Sequence, residues 1–105
     1  MKAGVYYNNR LAGILYKKDE RQFIFTYDPA YFNDPDAPSI SLTLSKVRAE
    51  YSSPVLFPFF SGLLSEGENR TLQQEALGID AADDFSLLLE TAGVDTIGAI
   101  TVREW

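Results

Sequence analysis

Apolar and polar positions alternate with a period of two over the early part of the chain and change to helical spacing beyond residue 55. Residues 2–7 and 10–16 read as two strands joined by Asn8-Asn9, a pair that suits a two-residue hairpin because asparagine tolerates positive φ. Both faces of the hairpin carry apolar side chains: Val5, Ala12 and Ile14 on one, Tyr6, Leu11 and Leu15 on the other. Gly13 inside the second strand predicts a bulge or a close approach by another segment. Lys17-Lys18-Asp19-Glu20 reads as a solvated turn. Gln22 to Tyr27 then alternates, with Phe23, Phe25 and Tyr27 on one face and Gln22, Ile24 and Thr26 on the other. Asp28 to Pro38 is punctuated by prolines and reads as a loop. Ser39 to Leu44 again has period two, which predicts a strand with Ile40, Leu42 and Leu44 inward.

The densest apolar stretch follows. Leu56, Phe59, Phe60 and Leu63 have the i, i+3, i+4, i+7 spacing of an amphipathic helix, and Phe57 and Leu64 widen that face beyond the usual stripe. Either this helix is sunk into the centre of the fold, or another chain covers part of its face. Ser53-Pro54 looks like a helix start, but Pro58 would break the first turn, so the regular helix is expected over about Phe57 to Leu64. Ser65-Glu66-Gly67-Glu68-Asn69-Arg70 reads as an exposed polar loop. A second helix is expected from about Asn69 to Leu77, with Gly78 as its left-handed cap and Ile79 making the contact after it. Asp83 and Asp84 offer caps for a third helix, whose inward face would be Phe85, Leu88, Leu89 and Ala92 and whose end is Gly93. Thr96 to Arg103 reads as a returning strand, with Ile97, Ile100 and Val102 apolar. The prediction is a single α+β domain over residues 1–105, with a small antiparallel sheet of about five strands and three short helices.

Composition removes most chemistry. The chain has 105 residues, no cysteine and no histidine. Disulfides, thiolate nucleophiles, zinc-thiolate sites and the ordinary serine triad are therefore excluded. A net charge of −6 without a basic cluster argues against direct contact with a phosphate backbone. No apolar run is long enough to cross a membrane, and no signal-peptide core precedes Asn8 and Asn9, so a cytoplasmic location is expected.

Gly62 and Gly67 have the spacing of a phosphate loop, but Glu68 and Asn69 stand where a lysine and a hydroxyl residue are required. Asn33, Asp34 and Asp36 lack the glycine and distal glutamate of a calcium loop. Asp84-Phe85-Ser86 echoes a kinase metal-binding tripeptide without the rest of a kinase. Glu66 and Glu68 read as solvated or partner-facing rather than as an acid–base pair. No catalytic residue, cofactor or metal is expected.

Taken in order, the residues resemble a known family, the N-terminal subdomain of HipA-type toxin kinases. The resemblance runs through the Asn8-Asn9 hairpin, Ser39 to Leu44, and most specifically Phe57-Pro58-Phe59-Phe60-Ser61-Gly62-Leu63-Leu64-Ser65-Glu66-Gly67, which is similar to the family pattern PFFxxLLPEG. Phe85-Ser86-Leu87-Leu88 and the stretch from Val94 to Val102 continue it. Ser65 departs from the pattern, which commonly has proline there. Because the chain ends at Trp105, it resembles HipS, the free-standing form of this subdomain in tripartite HipB-HipS-HipT systems. The resemblance implies a non-enzymatic antitoxin that binds a HipT-like serine/threonine kinase. A HipB-like helix-turn-helix protein would complete the complex, and DNA would be touched only through it. The residues expected to face the partner are Phe57, Leu64, Ser65, Glu66, Gly67, Glu68, Asn69 and Arg70. Two other readings are a non-inhibitory scaffold between kinase and repressor, and a ligand-binding domain using Tyr6, Tyr7, Tyr27, Tyr31 and Phe32.

Overall fold

In the computed structural model, described for residues 1–64, 67–80, 82–93 and 99–105, the chain folds as β1 (Lys2–Tyr7), β2 (Arg10–Asp19), β3 (Gln22–Tyr27), α1 (Pro29–Phe32), β4 (Glu50–Ser53), α2 (Pro58–Ser61), α3 (Gly67–Leu77), α4 (Asp84–Thr91) and β5 (Ile100–Glu104). The strands make one antiparallel sheet in the order β4-β3-β2-β1-β5. The Cα radius of gyration is 13.5 Å, close to the roughly 13 Å of a one-domain chain of this size. Among the described residues, no helix is long and apolar enough to cross a membrane.

The first hairpin forms as its turn chemistry predicts, with Asn8 and Asn9 at φ 47° and 68°. The expected bulge lies next to Gly13, and the expected close approach is at Gly13 itself. Val5 faces Gly13 while Tyr6 faces Leu11, so Ala12 is the extra residue of a bulge. A Cβ on Gly13 would lie 2.5 Å from the Thr26 carbonyl oxygen and 2.7 Å from the Phe25 ring. The bulge corrects the expected faces: Leu15 pairs with Ala3 and is buried beside Val5, whereas Ile14 pairs with Gly4 on the opposite face. Lys17 to Asp19 are not a turn. β2 continues through them, and the chain reverses at Glu20 and Arg21, where the Asp19 carboxylate accepts from the Arg21 amide at 2.8 Å.

Two further segments differ from expectation. Residues 39–44 form no strand. The Tyr27 hydroxyl donates to the Leu44 carbonyl and accepts from the Ile40 amide at 3.1 Å, and the Ser41 hydroxyl accepts from the Thr43 amide at 3.2 Å. These bonds curl the segment, so Ile40 and Leu44 turn inward while Leu42 is 99% exposed. The fourth strand is instead β4, a polar edge strand that needs apolar character on at most one face and so carries a weak signal. Within the expected loop 28–38, α1 makes one helical turn, its start set by Pro29 at N1 and by the Asp28 carboxylate accepting from the Tyr31 amide.

One face of the sheet holds the core. Ala3, Val5, Leu15, Phe23, Phe25, Tyr27, Ile100 and Val102 pack there against Tyr31, Phe60, Phe85, Leu87 and Leu88. α4 starts as predicted: the Asp83 carboxylate accepts from the Ser86 amide at 3.0 Å and the Ser86 hydroxyl at 2.7 Å. Its buried residues include Leu87 as well as the expected Phe85 and Leu88, and the Ala92 carbonyl accepts from the Val102 amide at 2.9 Å, tying the helix end to β5. The first residues of the expected last strand, Thr96 to Gly98, with Ile97, lie outside the described residues.

The other face carries Tyr6, Ile14, Tyr16 and Ile24, none of which joins the core, together with Lys2, Gly4, Arg103 and Trp105. No described helix packs on it.

Candidate partner-binding surface

The segment expected to meet a partner divides into a buried half and an exposed half. Pro58 starts α2 at its first position, as proline can, and the helix ends after one turn at Gly62. The predicted helix over residues 57–64 is therefore much shorter: Leu63 and Leu64 follow in tight turns whose amides donate to Phe60 and Ser61 carbonyls at 3.0 and 3.2 Å. Ser53 does not cap this helix; it ends β4, and its hydroxyl accepts from the Val55 amide at 3.2 Å. Phe60 is fully buried, with ring centroids 5.8 Å from Phe25, 6.2 Å from Phe57 and 5.2 Å from Phe59. Phe57 and Leu64 are 7% and 6% exposed. Most of the excess apolar width is taken up by the domain's own core, and these two residues hold the segment in place from behind.

Ser65 and Glu66 lie outside the described residues. Gly67 to Arg70 are helical rather than loop: α3 begins at Gly67, whose φ of +63° favours glycine. Glu68 and Asn69 are exposed on its first turn. The half-buried Arg70 guanidinium is bonded to the Asp84 carboxylate, which anchors α3 to the start of α4. At the other end the Ile79 amide donates to Gln74 at 2.9 Å and the Gly78 amide to Glu75, with Gly78 at φ +67°, the left-handed cap predicted. α3 contains no buried residue, and Leu72 is 62% exposed.

The alternative binding residues do not converge. Tyr27 and Tyr31 are core residues stacked at 6.0 Å and 7°, Tyr7 and Phe32 pack beside them, and Tyr6 lies on the opposite sheet face. Burial raises the pKa of both Tyr27 and Tyr31, and neighbouring tyrosines raise that of Tyr31 further. The Asp34 carboxylate is occupied. It accepts from Arg10 at 2.7 Å and from the Asp36 amide at 2.9 Å; the Arg10 bond is the main reason its pKa is lowered. Among the described residues, no three His, Cys, Asp or Glu side chains gather as metal ligands.

An antiparallel sheet with the core side chains of α1, α2 and α4 packed on one face defines the class of fold as α+β. The chain belongs to the HipA N-terminal domain family, whose model matches residues 3–103. A solved structure of the N-terminal domain of HipA toxin superposes with a TM-score of 0.67 and 28% identity, covering 98% of this chain and 92% of that one. Among curated relatives, a candidate kinase of Sinorhizobium fredii, Y4mE, is 32% identical over 91% of this chain, and a second, Y4dM, is 35% identical over 76%. The chain spans only 23% and 21% of their lengths. An uncharacterised Haemophilus influenzae protein is 31% identical over 95% of this chain and 89% of its own length.

Proposed function

We propose that this domain acts as a HipS-like antitoxin, docking on a HipT-like serine/threonine kinase as the fused subdomain does and neutralising it without chemistry of its own. One observation carries the reading: the same domain forms a fifth to a quarter of two candidate kinases, yet nearly the whole of the Haemophilus relative. A unit used in both settings has a surface shaped for a kinase body and folds apart from it. The exposed turn Gly67-Glu68-Asn69, anchored by Arg70, is the part that reaches toward the kinase's active-site region, with Ser65 and Glu66 leading into it. Inhibition then comes from blocking lobe closure or substrate access. A HipB-like helix-turn-helix protein completes the cytoplasmic complex and supplies its DNA contact, since a chain of charge −6 is repelled by phosphates.

Purified domain added to a HipT-like kinase should suppress its phosphorylation activity in proportion to complex formed. A stable complex with undiminished phosphorylation would make the domain a scaffold. No complex would remove the reading altogether.

A further inference from the structure

We infer that the kinase-type partner seats on the uncovered face of the sheet, with the α3 turn a separate, inhibitory contact; this rests on the reading just proposed. Across this face the register aligns Ser52, Ile24, Tyr16 and Lys2 in one row and Glu50, Thr26, Ile14, Gly4 and Arg103 in the next. Its centre is apolar and aromatic, and no described helix shields it.

Two features say what covers it. The first is where a longer chain would leave. Trp105 follows β5, its amide bonded to the Lys2 carbonyl at 3.2 Å, and its ring lies over Gly4, where a Cβ would come within 2.9 Å of both that ring and Tyr6. In longer proteins with this domain at the N-terminus, the chain continues past the counterpart of β5. The following body therefore starts at the β5 edge of the sheet, where the Trp105 ring already lies on this face. The second is charge. Within an acidic chain, Lys2 stands over the Tyr16 ring at 5.6 Å and Arg103 over the Tyr6 ring at 4.9 Å. Neither makes an ion pair among the described residues, although Arg103 donates to the Asn9 side chain at 3.1 Å. The fitting partner surface has an apolar centre and carboxylates on the side that meets Lys2 and Arg103.

The test compares three paired variants in binding to, and inhibition of, a purified HipT-like kinase: Tyr16→Glu with Ile24→Glu, Lys2→Glu with Arg103→Glu, and Glu68→Lys with Asn69→Ala. Thermal melts check folding, and the Lys2/Arg103 pair guards against a core defect because both side chains are exposed. The expected result is a Kd raised about tenfold or more by each sheet-face pair. The Glu68/Asn69 pair should keep near-native affinity while losing inhibition. Sheet-face pairs that fold and bind normally overturn the inference and leave the antitoxin reading standing. A self-association abolished by Ile24→Glu, with kinase binding intact, assigns the face to a second copy and also overturns it. Failure of the native domain to bind any such kinase overturns both.

Discussion

Removing the hydroxyl of Tyr27 should unpin the segment that sequence periodicity reads as a strand. That oxygen donates to the Leu44 carbonyl and accepts from the Ile40 amide, and both bonds are buried. Tyr27→Phe keeps the ring, with its stacking on Tyr31 and its edge contact with Phe25 at 4.9 Å, and strands two backbone groups without partners. A buried unsatisfied polar group costs roughly 1–3 kcal/mol. Two of them amount to about 2–6 kcal/mol, a large share of the roughly 5–15 kcal/mol that holds a domain together. With a urea m-value of about 1–3 kcal/mol/M, the unfolding midpoint should fall by roughly 0.7 M or more at unchanged slope. Tyr31→Phe is the internal control, because its hydroxyl makes one bond, to the Pro38 carbonyl at 2.7 Å. Its loss should be about 0.5–1.5 kcal/mol. Amide exchange at Ile40 should accelerate in the first variant and not in the second. A Tyr27→Phe loss below about 0.5 kcal/mol, or equal to that of Tyr31→Phe, would refute the bridging role.

Leu44→Ala should cost about 2–4 kcal/mol and Leu42→Ala less than about 0.5 kcal/mol in urea melts, because one side chain is buried and the other lies in solvent; equal losses would restore the strand. Phe60→Ala should destabilise the isolated domain by about 3–5 kcal/mol, since the ring is fully buried among Phe25, Phe57 and Phe59; a small loss would return this apolar segment to a partner's interface. Acid should destabilise the domain through Asp34 and Asp83. At Asp83 burial pushes the carboxyl up, but the Ser86 hydroxyl, the Ser86 amide and Lys17 together bring it below the usual range; at Asp34 the Arg10 bond does so. Their contribution is present above the unfolded carboxylate pKa of about 4 and is lost as pH falls through the folded values, so stability measured at about pH 3 should lie below that at pH 6. Tyr27 and Tyr31 work in the opposite sense. Their raised pKa values favour the neutral native state below about pH 10, and that contribution should vanish as pH climbs through the folded values.

The features legible in the chain alone are those whose physics is local. Asn8-Asn9 makes its turn because asparagine accepts positive φ, Asp83 caps α4 because its carboxylate reaches the Ser86 amide, and Gly78 ends α3 because it lacks a Cβ. Alternation in β3 reads correctly because that strand has one face on the core. The family pattern around Phe57 to Gly67 was legible as well, but it is a pattern of residue types and says nothing about their burial.

Tertiary structure decided the rest. One extra residue, Ala12, moved Leu15 to the core face and Ile14 away from it, and no local preference dictates which residue of a strand bulges. Residues 39–44 alternate like a strand, yet β3 takes the polar β4 as its neighbour and a tyrosine from β3 curls the alternating segment instead. Phe57 and Leu64 read as surplus apolar area along the chain, yet Phe57 packs on Phe60 and both residues are buried in the core. The surplus exists elsewhere, on the sheet face from Tyr6 to Ile24, because the helices that join the core, α1, α2 and α4, pack on the opposite face. Which side is covered depends on contacts between residues far apart in the chain, and periodicity carries no record of those.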